Sequence, residues 1–289
     1  MKRVLFVTYF WPPSGKASLH WPIRMIQYLP SHGLQPCVLT ATEDTFSSTD
    51  ASFEGVIDPS IRVRKARTFE PFNLYRSFLG MDKESPLVAS ETISRSNPGF
   101  RHRIAVWMRM NLFVPDARVG WYFPAVHKAK KFLKAEPVDS IVSIGPPHTA
   151  LLVGNSLARY FGVPHVPVFI DPWTDIAYYR GFRRSAPTRY FDHHLENSVL
   201  NNAARIVFVT ESMKQDYVRR APLIESKSHV LYWGYDEDPF SNFRPVMDRD
   251  DQTILHTGNL FDFQNPTGLW PFLRKEIEGG RKLRLVFVG

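Results

Sequence analysis

Three short stretches concentrate side chains that can do chemistry. Pro146-Pro147-His148-Thr149 follows the apolar run DSIVSIG, and Asp171-Pro172-Trp173-Thr174-Asp175 follows HVPVFI. The third, Trp11-Pro12-Pro13-Ser14-Gly15, follows RVLFVTYF and leads into Lys16. A histidine or a carboxylate held near a hydroxyl can orient it or take its proton. A glycine lets backbone N–H groups approach an anion where a side chain would block them, and an adjacent lysine adds positive charge. Trp173 and Thr174 would add an aromatic wall and a hydroxyl beside Asp171. Taken singly, His148 is also an ordinary helix-start residue, and Asp171 an ordinary turn residue before a proline. Their coincidence at the ends of three apolar runs favours one polar cleft.

Other patterns fail on their own chemistry. Ser14-Gly15-Lys16-Ala17-Ser18 lacks the earlier glycine of a Walker loop, because Phe10 holds that place, and Ala17 stands where Ser or Thr is needed. Asp236-Glu237-Asp238 fits a D-x-D metal pattern but lies in an acidic, proline-containing stretch that reads as a linker. His193 and His194, with Asp192 and Glu196 nearby, supply ligand types, yet adjacent helical residues point about 100° apart and do not converge. They read as surface histidines. Cys37 sits in an apolar run and reads as a small core residue. Around Trp107, the residues Arg101, Arg103 and Arg109 alternate with apolar ones. This segment suits either an anionic membrane surface or a helix docked on the protein with its charges in water.

The elements that position these loops follow from hydrophobic periodicity. Apolar runs at residues 3–10, 36–42, 61–65, 139–145, 165–171, 205–210 and 229–233 do not alternate with polar residues, as expected for strands covered on both faces. Helical patterns separate them, at about 19–26, 124–135, 151–160 and 212–220. In the second, Ala125, Ala129, Phe132 and Leu133 form one stripe and four lysines the other. The reading is α/β: a doubly wound, Rossmann-like parallel sheet over residues 1–235, with a helical excursion at about 69–123. Residues 236–251 form a linker. Two further strands and a helix over 252–289 begin a second Rossmann-like domain. The chain stops just after a strand, so a truncated second domain, and hence a fragment, is expected.

Among 289 residues, 36 Lys and Arg stand against 28 Asp and Glu, a formal charge of +8. Such a balance favours anionic partners. Nucleic acid is not expected, because no RNP-like, KH or helix-turn-helix signature is present. One cysteine excludes a disulfide framework. No apolar stretch is long enough to span a bilayer. A cytoplasmic protein, peripheral at most to the inner face of the membrane, is the expectation.

Together, RVLFVTYFWPPSGKAS, VPDARVGW, SIVSIGPPHTALLVG, FIDPWTD, FVTESMK and LYWGYDEDPF resemble the N-terminal half of family-4 glycosyltransferases, and ILHTGNL with QNPTGL resembles the opening of their C-terminal domain. The resemblance implies the GT-B fold, in which two Rossmann-like domains face each other. It implies transfer of a sugar from a nucleotide-sugar donor to a glycan or lipid-linked acceptor, with retention and no required metal or other cofactor, in cell-surface polysaccharide synthesis. By position, Gly15 would lie near the donor diphosphate and His148 near the transferred sugar. Asp171, Trp173 and Thr174 would line the same cleft, with Glu211 and Ser212 at the next strand end.

Two departures stand out. The family's C-terminal Glu-x7-Glu element would fall beyond Gly289. Its Arg and Lys pair for the diphosphate is not matched in HTGNLFDFQNP, where Asn259 and Gln264 stand instead. Beside sugar transfer, two other readings remain: a non-catalytic module binding a glycan or partner, and a nucleotide-sugar epimerase of the same architecture.

Overall fold

A computed structural model describes residues 1–46, 48–50, 55, 57–69, 100–176, 179, 182–235, 237, 240–242, 252–258, 260 and 264–288. Residues 70–99 of the expected excursion, most of the linker and Asn259 therefore lie outside the described residues. The chain divides into two compact units, Met1–Tyr235 and Asp236–Gly289.

The first unit is built on seven parallel strands: β1 (Lys2–Thr8), β2 (Leu34–Ala41), β3 (Arg62–Ala66), β4 (Ser140–Gly145), β5 (His165–Phe169), β6 (Ile206–Phe208) and β7 (Ser228–Val230). Their order across the sheet is β3-β2-β1-β4-β5-β6-β7. All neighbours pair in parallel. The helices are α1 (His20–Tyr28), α2 (Phe100–Leu112), α3 (Tyr122–Ala135), α4 (Thr149–Phe161), α5 (Ala186–Asn202) and α6 (Glu211–Arg220). This is the doubly wound Rossmann-like arrangement, and the strand order reverses between β1 and β4.

The unbroken apolar run of β1 has a direct cause. Val4 and Phe6 pack on one face with Ile23 and Ile26 of α1. Leu5 and Val7 pack on the other with Ala125, Ala129 and Leu133 of α3 and Val153 and Leu157 of α4. A strand covered on both sides has no solvent face to mark with polar residues. Each such side chain contributes about 1.5–3 kcal/mol by leaving water.

Helix α4 lies close against β4 because residue 154 is glycine. A Cβ there would stand 2.6 Å from Ser143 Cβ and 2.8 Å from His165 Nε2. Ser143 Oγ and His165 Nε2 are themselves hydrogen-bonded at 2.7 Å.

Two expectations change in detail. The run at 229–233 is a strand only to Val230, since residues 231–235 are exposed. Helix α5 is not announced by an apolar stripe. Its inward face carries Thr188, Asp192 and Glu196 before Val199 and Leu200, so polar residues sit where periodicity looks for apolar ones.

The second unit contains β8 (Gln252–Thr257) and β9 (Leu283–Val288), paired in parallel, with α7 (Leu269–Glu278) between them in sequence. Among the described residues, no helix is long and apolar enough to cross a membrane.

Candidate functional site

Because β1, β4 and β5 are parallel and adjacent, the loops after them emerge at one edge of the sheet. An open parallel sheet binds ligands outside its carboxyl ends, where the strand order reverses. The loops after β4 and β5 meet there. His148 is the residue from which α4 starts; its carbonyl accepts the N–H groups of Leu151 and Leu152 at 3.0 and 3.2 Å. Its side chain takes no part in capping. The imidazole is buried and stacks on the Trp173 indole, with centroids 5.1 Å apart and planes 18° from parallel. Nε2 lies 3.4 Å from the Asp171 carbonyl oxygen. A hydrogen bond to that carbonyl requires a proton on Nε2.

The N-terminus of α4 is occupied from within. Asp116, from the VPDARVGW stretch, accepts the Thr149 N–H and the Thr149 hydroxyl, each at 2.9 Å. It also accepts the Arg118 N–H at 2.9 Å. A carboxylate at this helix end answers the dipole, so the helix needs no outside anion there.

Trp173 is fully buried and forms no wall of an open cleft. It is the floor under His148. Its Nε1–H donates to Asp192 Oδ1 at 2.7 Å, and its backbone N–H donates to the Tyr217 hydroxyl at 2.9 Å. Asp192 Oδ2 pairs with Arg184 at 2.7 Å, both side chains being nearly or fully buried. Burial pushes the Asp192 carboxyl above its usual range, against the pull of Arg184 and of the Trp173 N–H.

One turn further along α5, Glu196 holds the same loop. It accepts the Tyr217 hydroxyl at 2.7 Å and the Thr174 hydroxyl at 2.8 Å. Arg220 lies 3.4 Å from Glu196 and 3.0 Å from Asp175. Burial raises the Tyr217 hydroxyl well above its ordinary pKa, and the Glu196 charge adds to this. Asp192 and Glu196 therefore clamp residues 173–174 by side chain and by backbone. In the sequence they read only as neighbours of surface histidines. His193 and His194 are indeed exposed, but the two carboxylates face inward.

Asp171, Thr174 and Asp175, with Met213, Tyr217 and Arg220 of α6, border an open cleft of about 720 Å³. Gly15 serves a different neighbour from the one expected. Its N–H donates to the Ser48 carbonyl at 2.9 Å, and a Cβ would stand 3.1 Å from Ser48 Oγ. The glycine thus allows residues 48–50 to pack against the loop, and its N–H is not turned to an outside anion. Beside it, the Ser14 hydroxyl is buried and has no hydrogen-bond partner among the described residues. Lys16 reaches over the Phe10 ring, 5.8 Å from its centroid. Glu211 and Ser212 begin α6 at the tip of β6. Glu211 is 3.6 Å from Lys214, and the Ser212 hydroxyl is 3.3 Å from that of Thr210. Among the described residues, no three of His, Cys, Asp and Glu gather as metal ligands.

The family model described as Glycosyltransferase Family 4 matches residues 87–239, more than half of the chain. The protein belongs to glycosyltransferase family 4. The matched segment contains Asp116, His148, Asp171, Trp173, Asp192 and Glu196, so the clamp and the residues it holds fall inside the family region. No curated protein matches the chain by sequence. Among solved structures, the chain is similar to Acinetobacter baumannii MurG at 12% identity and TM-score 0.44, covering 100% of this chain and 66% of that one. It is similar to Anabaena Alr3699/HepE in complex with UDP and glucose at 12% identity and TM-score 0.47, covering 100% and 70%. It is also similar to Phytolacca americana UGT2, complexed with UDP-2fluoro-glucose and pterostilbene, at 12% identity and TM-score 0.48, covering 100% and 72%. The chain thus spans about two thirds of the length of these structures.

Proposed function

We propose that this family-4 protein transfers a sugar, with retention, from a nucleotide-sugar to a hydroxyl of a glycan or lipid-linked acceptor, in cell-surface polysaccharide synthesis at the cytoplasmic side of a membrane. The observation that carries the reading is the placement of His148. It stands at the tip of β4, beside the reversal of strand order, on a floor built by Trp173 and against the Asp171 carbonyl. Departure of a sugar from a diphosphate needs its developing charge stabilised by fixed donors and cations. Lys16 is the cation nearest the β1 tip in sequence, and the Ser14 hydroxyl, without a partner among the described residues, is a donor that a bound ligand would satisfy. With the reaction relying on position and electrostatics, His148 and Asp171 would orient the acceptor hydroxyl and receive its proton late. No metal is required in this reading.

The test is transfer of label from radioactive UDP-, GDP- and TDP-linked sugars into a membrane lipid extract. His148→Ala and Asp171→Ala are expected to slow transfer by about 100-fold or more. Wild-type rates in both variants would overturn the site. Release of a modified sugar without any acceptor would favour the epimerase instead.

A further inference from the structure

The positive charge of this chain is not spread over it. Residues 100–135 hold eight Lys and Arg against a single acidic residue, Asp116, while the whole chain carries +8. This segment therefore supplies all but one unit of the net charge, and the remainder is close to neutral. The Asp116 carboxylate accepts from the Thr149 N–H and hydroxyl and from the Arg118 backbone N–H, at the start of α4.

Helix α3 shows how the charge is displayed. Ala125, Ala129 and Leu133 face the core. Phe123, His127, Lys131 and Lys134 recur at i, i+4, i+8 and i+11 on the opposite face, with Lys128 beside them, and all are exposed. Phe123 is 78% exposed at the start of this stripe. Lys130 adds a cation 3.7 Å from the centroid of the half-exposed Tyr160 ring. On α2, Arg103 and, one turn later, Trp107 are exposed, the latter 51%. Among the described residues, Arg103, Arg109, Lys128, Lys131 and Lys134 form no ion pair. Elsewhere the protein does pair such charges: Glu136, just after α3, is shared by Arg3, Arg62 and Arg64.

Uncompensated cations with large apolar side chains among them suit an interface that is anionic outside and apolar beneath. A bare polyanion would use the lysines but leave Phe123 and Trp107 without a purpose. The location also fits. Trp121 Nε1–H donates at 3.3 Å to the carbonyl of Ala66, the last residue of β3. The start of α3, with Phe123, therefore lies at the carboxyl edge of the sheet, the edge that carries His148.

We propose that the outward faces of α2 and α3 dock this protein on an anionic lipid bilayer, the lysines and arginines meeting headgroups and Phe123 and Trp107 entering the interface. The role in acceptor delivery rests on the sugar-transfer reading, and it specifies which face meets the membrane. The docking itself does not depend on turnover.

The probe is sedimentation with unilamellar vesicles of phosphatidylcholine alone, or of phosphatidylcholine mixed with phosphatidylglycerol. The protein is expected to pellet with the mixed vesicles and not with pure phosphatidylcholine. Binding should fall as salt rises from about 0.01 to about 1 M, which shortens the screening length from about 30 to about 3 Å. The exposed triple variant Lys128→Glu, Lys131→Glu, Lys134→Glu should lower partitioning by more than about tenfold. The pair Phe123→Ser and Trp107→Ser should lower the binding that survives high salt. Equal binding to both vesicle types, or a triple variant that binds like the wild type with an unchanged circular dichroism spectrum, would overturn the inference. So would duplex DNA that displaces the protein from vesicles while the Phe123 and Trp107 pair has no effect. Vesicle binding without sugar transfer would uphold docking and sink the enzymatic reading; transfer without vesicle binding would do the reverse.

Discussion

The imidazole of His148 lies flat on the indole of Trp173, with ring centroids 5.1 Å apart, while the indole N–H on the far side is held by Asp192 at 2.7 Å. The orientation of a proposed catalytic group is thus set by a carboxylate on another helix that does not touch it. Trp173→Phe keeps a ring under His148 but leaves Asp192 Oδ1 without that donor. A loss of about 1–3 kcal/mol in urea unfolding is expected. Trp173→Ala should cost about 3–5 kcal/mol. A Trp173→Phe protein as stable as the wild type would show that the indole N–H is not part of the support.

The buried pair Asp192 and Arg184 should respond unevenly to substitution. Removing one partner, as in Asp192→Ala, leaves a buried charge and should destabilise by about 3–5 kcal/mol. Replacing both, with Asp192→Leu and Arg184→Met, should cost much less than the sum of the single changes. A double-mutant cycle by chemical denaturation measures this, and additive losses would contradict a coupled pair.

Gly154→Ala should be poorly tolerated. Its Cβ would meet Ser143 Cβ at 2.6 Å, and neither atom belongs to a flexible chain end. The expected cost is about 1–3 kcal/mol from overpacking, read as a lowered melting temperature. Gly162→Ala offers a contrasting control. Nothing lies near its Cβ, but its φ of +67° is a left-handed conformation, so only backbone strain of about 1 kcal/mol is expected.

His165 supplies a pH signature. Burial lowers its pKa from 6.5 to about 3. Below 6.5 the unfolded chain binds a proton that the folded chain refuses. The sign follows: stability from this group is fully present above 6.5 and declines as pH falls from 6.5 towards 3. The slope is about 1.4 kcal/mol per pH unit. Urea titrations of wild type and His165→Gln between these limits should differ by that slope. A His165 ring that titrates near 6.5 by NMR in the folded protein would refute it.

Cys37 gives an independent handle on opening. Its thiol is buried and pushed up to about 11 by that burial. As the chain's one cysteine, it should react with a maleimide far more slowly in the native protein than in urea. Equal rates would show that β2 opens freely.

Much of this was legible in the amino-acid order because local pattern and burial agree. A parallel strand buried on both faces must be apolar throughout, and β1, β2 and β4 read that way. Once the strands are parallel, the loops at 146–149 and 171–175 have to emerge at one edge. Position along the sequence could not say what those loops touch. Trp173 reads as a cleft wall and is a buried floor; Gly15 reads as an anion-facing turn, and its N–H is bonded to Ser48. The supporting roles of Asp192, Glu196 and Tyr217, and of the partner Arg184, were not legible because a polar residue that faces inward resembles a surface residue until its partners, 8 to 44 positions away from it, are folded against it. Charge and periodicity are properties of the chain. The satisfaction of a buried polar group is a property of the folded state alone, because desolvation makes it costly only when the surrounding elements have closed around it.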